Sequence, residues 1–400
     1  TTPGAEQIII GEYGSSTNRG KLQFKSNDTL EYYQIDGGSE TIAMRPSRLF
    51  RDPNAFYHIV IQYDSAQSTS SDRFKIYVNG TQETVFDYNT YPSQNLDFRL
   101  NKSGVNLHIG QDGNNGNYFE GYISHIALVD NAISAPTVFG ETDSTSGIWK
   151  FKSPSGVTWG DNGFHLKFEN SGNLGLDSSG EGNNFTTNGN LKQAIDTPSN
   201  VYATWNPVYG FKTYTSTYAN GNTTVTTGST QTEGNPATLG ASSGKWYWEV
   251  KPSATSATSS PPDNYWYAIG AMAEQTTTDT HELGHNANAI GYYGADGTVR
   301  INDSNVATLS TYITGDIIGI ALDLDNNLIY FYKNGAIQNS GTGISIPAAS
   351  STPFGFWFPA VGDWDNNDTY TLDANFGNGF FGTTAITSAG SNGNGSLFEY

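Results

Sequence analysis

The sequence predicts an all-β protein built from two copies of one architecture. Three observations predict it. Helical periodicity is absent along the chain, whereas short alternating or apolar runs recur, each closed by Gly, Asn, Asp or Pro. Aromatic residues reach 13% although hydrophobic residues total only 36%, a mix that suits pleated surfaces, and 46 glycines supply turns. A local plan also occurs twice: IVIQYD…FKIYVNG early and GIALDLD…IYFYKNG late. Each has an apolar strand ending in Asp, a turn, an aromatic strand and then Asn-Gly.

Taken in order, Phe56 to Asp64 (FYHIVIQYD) reads as a strand, and Arg73 to Gly80 (RFKIYVNG) as its hairpin partner. Asn79-Gly80 is a strong hairpin turn because both residues accept positive φ. NLHIGQD follows, then Glu120 to Asp130 (EGYISHIALVD) as one strand. Tyr122, Ser124, Ile126 and Leu128 would share one face, and Ile123, His125, Ala127 and Val129 the other. Between Ala135 and Ala203 the pattern weakens to a polar loop (Leu176 to Phe185), a strand-like piece (Gly163 to Asn170) and a connector at Asp196-Thr197-Pro198. The domain boundary is placed here.

Order returns with Gly244 to Val250 (GKWYWEV), an exposed low-complexity loop from Pro252 to Asn264, and a largely apolar strand from Asn264 to Ala273. Gly315 to Gly335 is the strongest hairpin. A strand runs to Leu324, Asp325-Asn326-Asn327 turn the chain, a second strand spans Leu328 to Lys333, and Asn334-Gly335 turns it again.

Bulk chemistry narrows the function. A net charge of −19 with only 19 Lys plus Arg argues against nucleic acid and against anionic membranes. The absence of cysteine excludes disulfides, thiolate metal sites and cysteine nucleophiles. No run of about 18 apolar residues is present to span a membrane as a helix. No signal-peptide pattern opens the chain at Thr1, so its start is expected to be processed, tagged or incomplete.

The late hairpin GDIIGIALDLDNNLIYFYKNG strongly resembles the core hairpin of SPRY domains. GKWYWEV, YAIGAMA, PFGFWFPAVG (Pro353 to Gly362) and LDANFG (Leu372 to Gly377) resemble other strands of that fold, over roughly Trp205 to Asn378. FYHIVIQYD, IYVNG and GYISHIALVDNAIS resemble strands of laminin-G-like domains of the concanavalin A-like superfamily, over about Gln7 to Ser134. Such a domain normally has one or two further strands before this point, so either they precede Thr1 or another segment fills the gap. Both resemblances imply antiparallel jelly-roll sandwiches. The expected organisation is a laminin-G-like sandwich over 1–143, an irregular connector with short strands over 144–204, and a SPRY-like sandwich with a tail over 205–400. FGET (Phe139 to Thr142) with Trp149, DSSGEGNNF (Asp177 to Phe185), and DTP (Asp196 to Pro198) with Asn206-Pro207 complete an order similar to that of virion-associated proteins of marine bacteriophages.

Each motif with catalytic lettering has a structural reading beside it. HELGH (His281 to His285) spells the zinc-peptidase signature, which needs both histidines on one helix face and a third ligand. Its flanks are poor helix formers, Gly284 sits inside it, Asn288 stands where the longer pattern wants Gly, and the only later Glu is Glu399. It is read as coincidental, with a two-histidine surface metal site as the residual alternative. GASSG (Gly240 to Gly244) precedes a strand, whereas a nucleophile elbow precedes a helix. Asp323 and Asp325 are the nearest carboxylate pair, but they flank a hairpin turn.

No catalytic residue is therefore expected. Loop aromatics that could stack on sugars are Trp364, Tyr265 and Tyr118, with Asn115 in the loop from Gln111 to Tyr118; Trp266 is expected in the core. Asp363, Asp365, Asn367 and Asp368 could offer oxygens to calcium, the one cofactor considered, and none is required. The resemblance implies a non-enzymatic fibre or decoration protein on a virion surface. It would bind a host glycan or other virion proteins, without nucleic acid or membrane insertion, as a homo-oligomer. The alternatives are a polysaccharide-degrading enzyme on the same sandwich, and a secreted bacterial adhesin or filament subunit.

Overall fold

Tight turns cut the first hundred residues into antiparallel strands. β1 (Gln7–Ser15), β2 (Asn18–Phe24), β3 (Leu30–Asp36) and β4 (Ser39–Pro46) form a meander. β5 (Ile59–Tyr63), β6 (Phe74–Val78) and β7 (Thr81–Gln82) form a separate three-stranded sheet. β8 (Phe86–Thr90) and β9 (Leu107–Ile109) flank the meander, giving the order β8-β4-β3-β2-β1-β9. Asn79 and Gly80 turn β6 into β7 with φ of 49° and 76°, as the dipeptide predicts. Leu22, Leu30, Tyr32, Ile42 and Met44 of the meander pack with Phe74, Ile76 and Val78 of the smaller sheet in one core.

This computed structural model describes residues 3–114, 116–189, 191–209, 216–229, 233–258, 266–273, 282–364, 367–389 and 395–400. The chain divides into two units, Thr1–Val201 and Tyr202–Tyr400. Among the described residues the helical turns are 3-10 turns alone, and no helix is long and apolar enough to cross a membrane.

One expectation needs correction in the first unit. The run from Glu120 to Asp130 is strand only over β10 (Ile126–Leu128), because His125 adopts φ 60° and breaks the extended path. β11 (Gly140–Thr142) pairs with β12 (Trp149–Phe151), and β10 pairs with β13 (Phe164–Leu166). The cause of the break is a column of rings. His125 stacks on Phe151 at 3.8 Å between centroids, its Nδ1 lies 3.2 Å from His165 Nε2, and Trp159 stacks on His165 at 5.4 Å. Trp149 fills a slot where a Cβ at Gly80 or Gly140 would come within 2.4 Å of it, and it donates to His58 Nδ1 at 2.9 Å. Asp177 accepts from the backbone of His165 and Ser179, both at 2.8 Å, so the polar loop folds back onto β13.

In the second unit β14 (Thr217–Ala219), β15 (Thr224–Thr226) and β16 (Glu233–Pro236) precede the long β17 (Lys245–Thr255). β18 (Tyr267–Met272), β19 (Ala289–Tyr293), β20 (Thr298–Ile301) and β21 (Ser304–Thr308) follow. Then come β22 (Ile318–Asp323), β23 (Leu328–Lys333), β24 (Ala336–Ile337), β25 (Ile344–Ser345), β26 (Phe358–Asp363) and β27 (Tyr370–Asn375). One sheet runs β14-β15-β27-β17-β22-β23-β24, with β25 also on β23; the other runs β16-β26-β18-β19-β20-β21. All these pairings are antiparallel. Trp248, Val250, Ile318, Ile320, Ile329, Phe331 and Leu372 of the first sheet meet Tyr267, Ile269, Ile290, Tyr292, Val299 and Val361 of the second. The protein is thus all-β, and each unit is an antiparallel sandwich of open sheets.

Alternation puts Trp248 of β17 in that core and Glu249 on the other face, also fully buried. The Glu249 carboxylate accepts from the backbone N–H of Glu399 at 2.9 Å and of Tyr400 at 3.0 Å, and from Asn375 Nδ2 at 3.1 Å. Asn375 in turn accepts from Gly377 and Gly379 and donates to Leu397. Burial pushes the Glu249 carboxyl up, against donors that pull it down.

Two outcomes follow from this packing. Replacing Glu249 by Ala leaves buried donors unpaired and should cost about 2–4 kcal/mol in urea unfolding; an unchanged midpoint would contradict the clasp. Burial, and next the neighbouring His125, lower His165 from its usual value to about 4. A histidine depressed in the folded state gives stability that is complete above about pH 6.5, its usual unfolded value, and is lost as pH falls towards 4. The first unit's melting temperature should therefore drop across that window, and His165→Asn should flatten the drop.

Candidate binding surface

The central strands β18 and β19 of the second unit's six-stranded sheet are packed on both sides. Tyr292 of β19 points into the main core, so its neighbour Tyr293 points to the outer face. There Ala268, Met272, Ala289, Tyr293 and Ala360 make a second apolar layer, capped by Leu283 from an irregular segment, with Tyr209 and Trp266 packed against it. The cap lies close to the sheet: a Cβ on Gly291 would stand 2.4 Å from the Leu283 carbonyl oxygen. Tyr293 donates its hydroxyl to that same oxygen at 2.8 Å.

At the edge of this layer stands a cluster of three rings and a guanidinium. Arg300 of β20 lies 4.5 Å from the Tyr293 ring centroid, 4.8 Å from that of Trp364 and 5.9 Å from that of Trp266. Trp266 and Trp364 meet edge to face at 4.9 Å and 79°. The Trp364 backbone N–H donates to Trp266 O at 2.8 Å, which ties together the residues flanking β26 and β18. Arg300 is steered by Asp296 Oδ2 at 3.2 Å and Thr298 Oγ1 at 3.2 Å. Tyr293 is fully buried, and burial, with Glu282 next, raises its phenol, so it stays neutral. Trp364 remains 42% exposed. The arrangement offers the exposed part of the Trp364 indole beside a fixed cation. It can stack a pyranose face and donate hydrogen bonds to its oxygens.

Of the residues expected to bind a ligand, Trp364 joins this cluster and Tyr118 is exposed in the first unit. Tyr265 and Asn115 lie outside the described residues, as do Asp365 and His281. Trp266 is half-buried against the outer layer rather than in the main core. Asp363 is buried at the end of β26, Asn367 is exposed, and Asp368 accepts from Ser256 Oγ at 2.9 Å. Asp323 and Asp325 are engaged in their turn. Asp323 accepts from Asn326 Nδ2 and Lys245 Nζ, each at 2.9 Å, and the Asn326 side chain, then Lys245, holds it below the usual carboxylate range. Asp325 accepts from Gly244 N at 2.8 Å, so the GASSG turn ends on a structural bond. Sequence reasoning missed Arg300 and Tyr293. An arginine on a strand rich in aromatic neighbours was the available signal, but the neighbours come from other strands.

Residues 1–139 match the family model of the concanavalin A-like lectin/glucanases superfamily, and residues 245–370 match that of the SPRY domain. No curated protein matches the chain. Among solved structures, the SPRY domain of human HERC1 is similar at 20% identity, covering 38% of this chain and 86% of that one, with a TM-score of 0.31. Both matched modules are β-sandwiches of types common in binding and adhesion proteins.

Removing the guanidinium should loosen the rings. Arg300→Ala is expected to cost about 1–2 kcal/mol in urea unfolding and to red-shift tryptophan emission. Emission identical to that of the unaltered chain would show that Arg300 does not hold Trp364 and Trp266.

Proposed function

We propose that this chain, a concanavalin A-like module followed by a SPRY module, is a non-catalytic adhesion protein of a bacteriophage virion surface that binds host glycan. The observation that carries the binding role is the half-exposed Trp364 edge beside the tethered Arg300, on a sheet braced from both faces. Rigid sandwiches suit this task because their loops and faces are held before the ligand arrives. The acidic, amide- and hydroxyl-rich composition matches a neutral or cationic sugar surface better than a polyanion. The virion setting is supported by the order of modules and by the connecting stretches FGET with Trp149, DSSGEGNNF and DTP. These stretches have a physical role in the first unit: Trp149 fills its glycine slot, and Asp177 ties the polar loop to β13.

Binding of the purified chain to host envelope polysaccharide, measured by calorimetry, tests the reading. Trp364→Ala should weaken binding about tenfold, the worth of one ring–sugar stack. Equal affinity in the variant, or release of reducing ends that Asp323→Asn abolishes, would overturn it. Antibody against the chain should also decorate intact particles.

A further inference from the structure

The letters HELGH remain to be placed. Their described part, Glu282 to His285, is a turn and not a helix: Gly284 has φ 101°, and the Arg300 carbonyl oxygen lies 2.7 Å from where its Cβ would stand. The turn is fastened to the hairpin of β20 and β21. Asp303 N donates to Gly284 O at 3.1 Å, and Asn302 N donates to Asn286 O at 3.0 Å. Asn302 and Asp303 carry φ of 53° and 58°, the two-residue turn that joins the strands. The result is a group of three donors from two segments. His285 Nδ1 lies 2.9 Å from Asp303 Oδ1 and 3.8 Å from Glu282 Oε1, and one ligand atom from each residue falls within 4.8 Å of the others.

We propose that Glu282, His285 and Asp303 form a binding site for a borderline divalent cation of the zinc class. Metal–donor bonds of about 2.0–2.2 Å at tetrahedral angles place donors roughly 3.2–3.6 Å apart, and the observed separations lie on both sides of that range. The imidazole nitrogen selects zinc, cobalt or nickel over calcium and magnesium, which favour all-oxygen shells. The two carboxylates neutralise the charge of the cation. Among the described residues this is the one group of three such donors. The setting is built: Leu283, between the first two ligands, is buried in the outer apolar layer and held by Tyr293. Asp303 is 61% exposed on its side chain, so a fourth position opens to solvent, where water or an oxygen of a bound molecule can complete the shell. The proposal is independent of the glycan reading.

The full chain, stripped with EDTA and dialysed, is titrated with zinc chloride and separately with calcium chloride by calorimetry. The expected result is one zinc per chain, a raised melting temperature, and no response to calcium. Asp303→Asn and His285→Gln should each weaken zinc binding at least about tenfold, while the chain's circular dichroism stays unchanged. Full zinc affinity in both variants, equal response to calcium, or no zinc binding at all would overturn the proposal. Should either variant fail to fold, the unaltered chain still decides the matter. The His285 Nδ1 resonance must shift on zinc addition, and a resonance that stays put rules the site out.

Discussion

The second unit depends on one constraint: the central strands of its six-stranded sheet, β18 and β19, are buried on both faces. β18 and β19 are buried at every residue, which strict alternation allows only if both sides are covered. The inner side meets the other sheet through Ile269, Ile290 and Tyr292, and needs bulk. The outer side meets a loop, and needs small residues so that backbone can approach. Ala268, Ala289, Ala360 and Gly291 supply them. Tyr293 is the large exception, and its hydroxyl is what fixes the loop, through Leu283 O. Arg300 and Trp364 can then stay ordered at the rim of this layer, because the ring beneath them does not move.

Polar burial does comparable work at the other sheet. Glu249 lies on the face of β17 opposite the core, where a bare carboxylate would be costly. Backbone donors from Glu399 and Tyr400 and the amide of Asn375 fill its oxygens. The first unit uses the same device. Arg99, nearly buried, donates to Glu12 at 3.1 Å and Asp36 at 2.7 Å, and Gln23 donates to Glu31 at 2.8 Å. Desolvation raises Glu12, with Arg99 opposing, and Arg99 ties β1 to β3 through Glu12 and Asp36.

Those buried pairs explain what could be read in the sequence and what could not. Hairpins with apolar strands and Asn-Gly turns, such as β5–β6–β7 and β22–β23, were legible because inward positions are apolar and the turn residues have a steric reason. The β1–β4 meander was not, since Glu12, Gln23, Glu31 and Gln34 occupy buried positions and blur the two-residue period. The run from Glu120 to Asp130 alternates well and yet is mostly not strand. Its His125 turns to stack on Phe151 and to meet His165 through their ring nitrogens, residues far along the chain that no local pattern announces. At the binding surface Trp364 was legible as an aromatic in a polar loop. Arg300 was not, because its partners Tyr293, Trp266 and Trp364 come from separate strands or strand ends.

The pentapeptide that spells a peptidase shows how a motif's letters and its geometry separate. On a helix, two histidines four apart face one ion because the turn repeats every 3.6 residues. Here Gly284 reverses the backbone instead, so residues three apart, Glu282 and His285, come within 3.8 Å without any helix. Asp303 reaches them from a turn two strands later, carried by backbone bonds and not by sequence proximity. The anchor for this arrangement is Leu283, whose burial under Tyr293 also steadies the ring cluster around Arg300. One buried leucine thus fixes the place of both the aromatic edge and the three donors, so disturbing it would disorder the two together.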